Sequence, residues 1–137
     1  MRRGADDQLW KTVRQRVRDR DSNTDRLLRI ITVREAVLLS RTAPKIQLIT
    51  LDPAHIYPAS GYPGLIYEEN NIVLLNRYSH ENLDNSRHPI MGTPISKEEM
   101  MSWWERIAGI IQWGLLQKKV LFLSDAQYNI PTEPSSL

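Results

Sequence analysis

Between Asp6 and Arg20 the apolar residues Leu9, Trp10, Val13 and Val17 recur at helical spacing, while Lys11, Arg14, Arg16, Arg18 and Arg20 fall on the other faces. This pattern predicts an amphipathic helix with a basic outer side. The polar cluster Asp21-Ser22-Asn23-Thr24-Asp25 breaks it and reads as a loop, followed by the apolar Leu27, Leu28, Ile30 and Ile31. Thr32 and Glu35 stand at the spacing of a reciprocal helix cap ahead of Ala36-Val37-Leu38-Leu39, which predicts a helix over 33–41. Pro44 should end that element. The β-branched and apolar run Ile46 to Leu51 then predicts a strand.

Three prolines, a glycine and two tyrosines between Pro53 and Pro63 predict an irregular, ordered loop after Ile56. Ile72-Val73-Leu74-Leu75 is a compact strand candidate, and a helix is expected from Arg77 to about Asn85. A second proline-glycine loop, His88 to Pro94, leads to another capping pair, Ser96 and Glu99. The helix after it, over 97–118, should place Met100, Trp103, Trp104, Ile107, Ile110, Ile111 and Leu115 on one broad apolar face. The tryptophans read as packing residues rather than base-stacking platforms. Val120 to Leu123 would add an edge strand, and the segment from Asn129 reads as a loose tail.

At 137 residues, with 41% hydrophobic and 25% charged residues, the chain has the size and balance of one soluble domain, assigned to 1–128 with a tail over 129–137. It has no cysteine, which excludes disulfides, thiolate zinc sites and a cysteine nucleophile, so any metal must take nitrogen and oxygen ligands. The opening Met1-Arg2-Arg3-Gly4 leads into polar residues, and no apolar run reaches the length of a membrane span, so the expected location is the cytoplasm. Net charge is only +2, yet residues 1 to 50 carry twelve Lys/Arg against six Asp/Glu. A basic end of this kind suits either a phosphate-facing surface or a solvated helix face.

Candidate chemistry centres on two histidines. His55 ends Leu51-Asp52-Pro53-Ala54-His55, and His80 lies in the expected helix with Asp84 four residues on, one turn away on the same face. An imidazole and a carboxylate so placed are a workable pair of divalent-metal ligands.

The whole string resembles the HNH, or ββα-metal, endonuclease family. His55-Ile56-Tyr57-Pro58 matches the family's His-Ile/Val-x-Pro element, Asn71-Ile72-Val73-Leu74-Leu75 its Asn-Leu-x-x-Leu element, and His80 falls nine residues after Asn71, with Asp84 where many members place a further ligand. The resemblance covers a core of 51–85. It implies an α+β fold with a ββα-metal hairpin and helix, flanked here by the basic N-terminal helix and the long C-terminal one.

It further implies phosphodiester hydrolysis in nucleic acid, with DNA favoured. His55 would serve as general base, Asn71 would fix the loop that carries it, and His80 and Asp84 would hold one divalent ion, Mg2+ before Mn2+. Arg77, with Arg14, Arg16, Arg18 and Arg20 as a second surface, would meet phosphates. Arg87 and His88 read as loop residues. Compact domains of this kind resemble those of phage genomes and mobile elements.

Two departures shape the expectation. Where relatives carry zinc-binding cysteines this chain has Asn76 and Ser79, so no structural zinc of that type is implied and the long helix should supply the stability instead. Where they carry an acidic or His ligand before the general base it has Ala54, and Asp52, on the same side of the strand, is the candidate replacement. Ala54 leaves an alternative open, an HNH-type module that binds nucleic acid or a protein without cleaving; a small helical structural or regulatory protein is the other.

Overall fold

Helix α1 (Arg3–Arg20) forms on the predicted spacing, burying Val13 and Val17 and half-burying Trp10 while Arg14, Arg16 and Arg18 lie on the other faces. The computed structural model describes residues 3–128, so the expected tail from Asn129 lies outside the described residues. A short 3-10 turn, Arg26–Arg29, follows, capped by the Asp25 side chain on the Leu27 N–H. Thr32 and Glu35 then form the full reciprocal cap of helix α2 (Val33–Thr42).

Residues expected as a strand over 46–51 instead form the short helix α3 (Lys45–Ile49), and strand β1 starts only at Leu51 (Leu51–His55). Helix α2 ends just before Pro44, as expected, and Pro44 then opens α3, its carbonyl accepting the N–H groups of Gln47 and Leu48. Ile46 and Ile49 stay exposed. Strand preference is a preference for a packed, pleated surface, and among the described residues no further strand is there to pair with.

β1 pairs antiparallel with β2 (Ile72–Asn76), Leu51 opposite Asn76 and His55 opposite Ile72. Pro53 costs the ladder nothing: Leu74, its partner, turns its N–H away from β1 to Asp21, so this pair exchanges no backbone bonds. Every residue of β2 is buried, which explains its unbroken apolar run. Ile72 and Leu74 face Val13 and Val17 of α1, while Val73 and Leu75, with Ala54, face the main core of Leu27, Leu39, Leu83, Trp104, Ile107 and Leu116.

Helix α4 (Arg77–Asp84) follows β2 directly, and α5 (Lys97–Ala108) begins at Ser96, whose Oγ accepts the Glu99 N–H, the forward half of the expected box. The long helix expected over 97–118 is in fact two, because Gly109 sits at φ 84, a conformation that side-chain-bearing residues avoid. Helix α6 (Ile110–Tyr128) leaves in a new direction, with Gln112 and Leu116 turned inward and Ile110 and Ile111 at 89% and 77% exposure. The edge strand expected over 120–123 is part of α6: Val120 and Leu123 pack on the core at helical spacing. Trp103 and Trp104 are buried packing residues, as expected. No helix among the described residues is long and apolar enough to cross a membrane.

An ionic network centred on the buried Asp21 joins these pieces. Asp21 accepts Nε and Nη2 of Arg20 (2.7 and 2.9 Å), Nη1 of Arg26 (2.7 Å) and the Leu74 N–H (3.0 Å). Arg20 also donates to Ile72 O, and Arg26 to Gln112 Oε1 and to the last carbonyls of α5, Ile107 and Ala108. Burial pushes the Asp21 carboxyl up, but Arg20, the Leu74 N–H and Arg26 outweigh it and hold the pKa below its ordinary 3.8. Its stabilisation is therefore complete above 3.8 and is lost as pH falls through the lower folded value. Asp21→Ala leaves Arg26 buried without its counter-charge and should cost about 3–5 kcal/mol in urea denaturation at pH 7. The gap from the native chain should narrow in melts below pH 3.8.

Candidate active site

His55 sits where β1 ends and a fifteen-residue excursion over 56–70, leading to Asn71, begins. That loop is closed by the Ile56 N–H on Asn71 O (2.8 Å) and by the fully buried Asn71 side chain. Asn71 Oδ1 accepts the Tyr57 N–H (2.8 Å), and Nδ2 donates to the carbonyls of Tyr57 (3.0 Å) and Leu65 (3.1 Å). Only an amide offers an acceptor and two donors here; a carboxylate would repel both carbonyls. Tyr57 is pinned further by its ring against Tyr62 and Trp113 and its hydroxyl at Gln117.

The imidazole of His55 has two contacts. Its Nε2 lies 2.8 Å from Ile66 O, and because a carbonyl only accepts, Nε2 carries the proton and a neutral ring keeps its lone pair on Nδ1. Its face lies against the Trp10 indole, centroids 5.4 Å apart and planes 15° from parallel.

His80 is carried by α4, whose start is set by Asn76. The Asn76 side chain accepts the Ser79 N–H (2.8 Å) and donates to Asp25 (2.8 Å) and Ser79 Oγ (3.1 Å), while Ser79 Oγ donates to Pro89 O (2.8 Å). The two positions compared with zinc-binding cysteines are thus tied by hydrogen bonds that also hold the loop after α4. Burial raises the Asp25 carboxyl above its ordinary range, against the pull of these donors.

The His80 ring lies between two carboxylates. Nδ1 is 3.1 Å from Asp52 Oδ2, and Nε2 is 3.1 Å from Asp84 Oδ2. Asp52 projects from the same face of the hairpin as Ala54 and also receives the fork of Arg77 through Nε (3.2 Å) and Nη2 (2.9 Å). Burial would raise the Asp52 carboxyl, but Arg77 and His80 outweigh it and lower it. For His80 burial favours the neutral ring, but Asp84 and Asp52 outweigh it and raise the pKa above 6.5.

His55, His80 and Asp84 line one cleft of about 410 Å³, walled by Pro53, Leu83, Met100 and Trp104. Adjacent ligands held at about 2.1 Å from one ion stand about 3 Å apart, so His80 Nε2 and Asp84 Oδ2 fit as a pair of metal ligands. Asp52, expected beside them, lies at the opposite ring nitrogen. Among the described residues no three His, Cys, Asp or Glu side chains converge on one point.

The expected phosphate-binding arginines divide by environment. Arg77 is half exposed in its fork to Asp52, Arg14 lies over the Trp10 ring, and Arg16 is 3.8 Å from Glu69. Arg18 borders a shallow surface depression with Gln15 and Asp19. Arg20 is engaged by Asp21 and by the Glu69 and Ile72 carbonyls, a structural position. Arg87 and His88 organise their loop, Arg87 on Gly92 O and His88 Nδ1 under the N–H groups of Ile90 and Met91. Trp10 is the site residue that sequence reasoning missed; its spacing marked it as inward-facing, but nothing local marked His55, 45 positions on, as its partner. No protein-family model, curated protein or solved structure matches the chain.

Asn71→Ala removes the partner of three backbone groups, the buried Leu65 carbonyl and the half-buried N–H and carbonyl of Tyr57, and should cost about 3 kcal/mol, with exchange of the Tyr57 amide accelerating ahead of the hairpin amides. Because the folded pKa of His80 is raised, its charged form stabilises the fold fully below pH 6.5, and that stabilisation is lost as pH rises through the folded value. An NMR titration should place the His80 midpoint above 6.5 and move it down in Asp52→Asn; a midpoint at or below 6.5 in the native chain contradicts the arrangement.

Proposed function

We propose that this chain is a metal-dependent endonuclease of the HNH, ββα-metal type, hydrolysing phosphodiester bonds in nucleic acid, with DNA the favoured substrate. The observation that carries the reading is one cleft bordered on one side by His55, with a hydrogen bond that leaves Nδ1 as its basic nitrogen, and on the other by His80 and Asp84.

In this reading His55 Nδ1 takes a proton from water as the water oxygen bonds to phosphorus and the P–O bond to the leaving group breaks. His80 Nε2 and Asp84 would hold one divalent ion, Mg2+ before Mn2+. Such an ion, when bound, supplies positive charge at the scissile phosphate and the departing oxygen. Asp52 accepts the Nδ1–H of His80 and so fixes which nitrogen faces the cleft, the role of a carboxylate behind a metal-bound imidazole. Arg77, half exposed beside Asp52, meets a phosphate, with Arg14, Arg16 and Arg18 of α1 as an outlying basic surface.

A second reading draws on Ala54, buried against Val73 where relatives of this type would place a ligand: a module that binds nucleic acid without cutting it. Supercoiled plasmid with Mg2+ or Mn2+ separates the two. The native chain should relax or linearise it, with His55→Ala slower by at least about 100-fold. Background conversion by both proteins, together with a retained plasmid band shift, would sink the nuclease and leave the binding module.

A further inference from the structure

We infer that Trp10 is a positioning residue for His55, clamping its imidazole in the orientation that leaves Nδ1 unprotonated; the kinetic consequence rests on the nuclease reading above, the structural one does not. A histidine at the end of an edge strand has little to hold its ring, because rotation about χ2 is soft. The hydrogen bond from Nε2 to Ile66 O fixes one edge, but Ile66 belongs to the long loop between the strands, and one bond still lets the ring tilt about it. The indole of Trp10 removes that freedom by covering a face of the ring at 5.4 Å and 15°.

Trp10 is itself well anchored. It lies one turn before Val13, which packs with Val17 against Ile72 and Leu74, and the Arg14 guanidinium sits 5.6 Å from its ring centre. The far end of α1 is fastened to β2 through Arg20 and Asp21. Helix, strand and His55 therefore move as one body, and the loop is not left to orient the imidazole alone. Trp10 is also only half buried, so the clamp does not close the cleft over His55.

NMR of the native chain tests the contact first. The His55 ring protons should be shifted upfield by the indole ring current, and long-range proton–nitrogen spectra should show Nε2 protonated; unshifted resonances or a protonated Nδ1 overturn the inference. Trp10→Leu keeps an apolar side chain but removes the flat face, and the longer, more flexible Trp10→Met is the second variant should Leu perturb folding. Both should lose the ring-current shift and mix the two tautomers. Plasmid cleavage should fall roughly 10- to 100-fold in kcat with KM little changed, and Trp10→Phe should restore most of it. A folded Trp10→Leu that keeps both the tautomer and kcat overturns the clamp while leaving the nuclease intact. A native chain that cleaves nothing, yet shows the shifted resonances and a Trp10-dependent tautomer, removes the nuclease and leaves the clamp.

Discussion

An isolated pair of β-strands is at best marginally stable in water, and here the inner strand is buried on both faces, so its outer edge must be satisfied by something other than solvent. The Asp21 carboxylate and the Arg20 guanidinium do this, one taking the Leu74 N–H and the other giving to Ile72 O. Gln112 of α6 adds a second donor to Ile72 O and reaches Asn70 O. Arg26, held by the same carboxylate, closes the end of α5. Charges this far from water stabilise only when every lone pair and proton is matched, and Asp21 has four donors around it. The end of α1, strand β2 and, through Arg26, the end of α5 all meet at this one carboxylate.

The candidate site inherits its geometry from that arrangement. β2 fixes β1 by register, β1 delivers Asp52 to α4 and His55 to the face of α1, and α4 delivers His80 and Asp84 because Asn76 starts it immediately after the strand. Asn71 joins the two ends of the long loop so that Ile66 O meets His55. Four separate stretches of chain contribute, and none of the contacts that matter lies within a single element except His80 with Asp84. The imidazole between Asp52 and Asp84 is the electrostatic centre: two carboxylates favour its charged form, while the Arg77 fork draws off part of the Asp52 charge.

Local signals proved dependable where the backbone itself consumes them. Thr32 with Glu35, and Ser96 ahead of α5, mark helix starts because their side chains satisfy N–H groups that helical geometry leaves open. The unbroken run Ile72 to Leu75 is a strand for a similar reason, its residues having two apolar layers to face. Ile46 and Ile49 carry strand-forming side chains but have no partner strand among the described residues, so short-range bonding wins and they turn to solvent. Over 97–118 the apolar spacing was continuous, yet a single glycine in a conformation closed to other residues redirected the second half. Spacing measures which faces are alike; it does not say whether the axis stays straight.

By itself, then, the sequence determined the α+β composition, the strand over 72–75 with the helix after it and the pairing of His80 with Asp84, because these depend on periodicity, caps and one helical turn; the first strand, expected over 46–51, lies instead at Leu51–His55. Asn71 was singled out correctly as a loop-fixing residue, its amide being the group a closed loop needs. The tertiary structure alone decided that Asp52 meets the opposite nitrogen of His80 from Asp84, that Arg20 belongs to the core network, and that Trp10 faces His55. Each of these joins residues tens of positions apart through side-chain direction and layer packing, quantities that exist only once α1 has docked on β2 and the hairpin has taken its register.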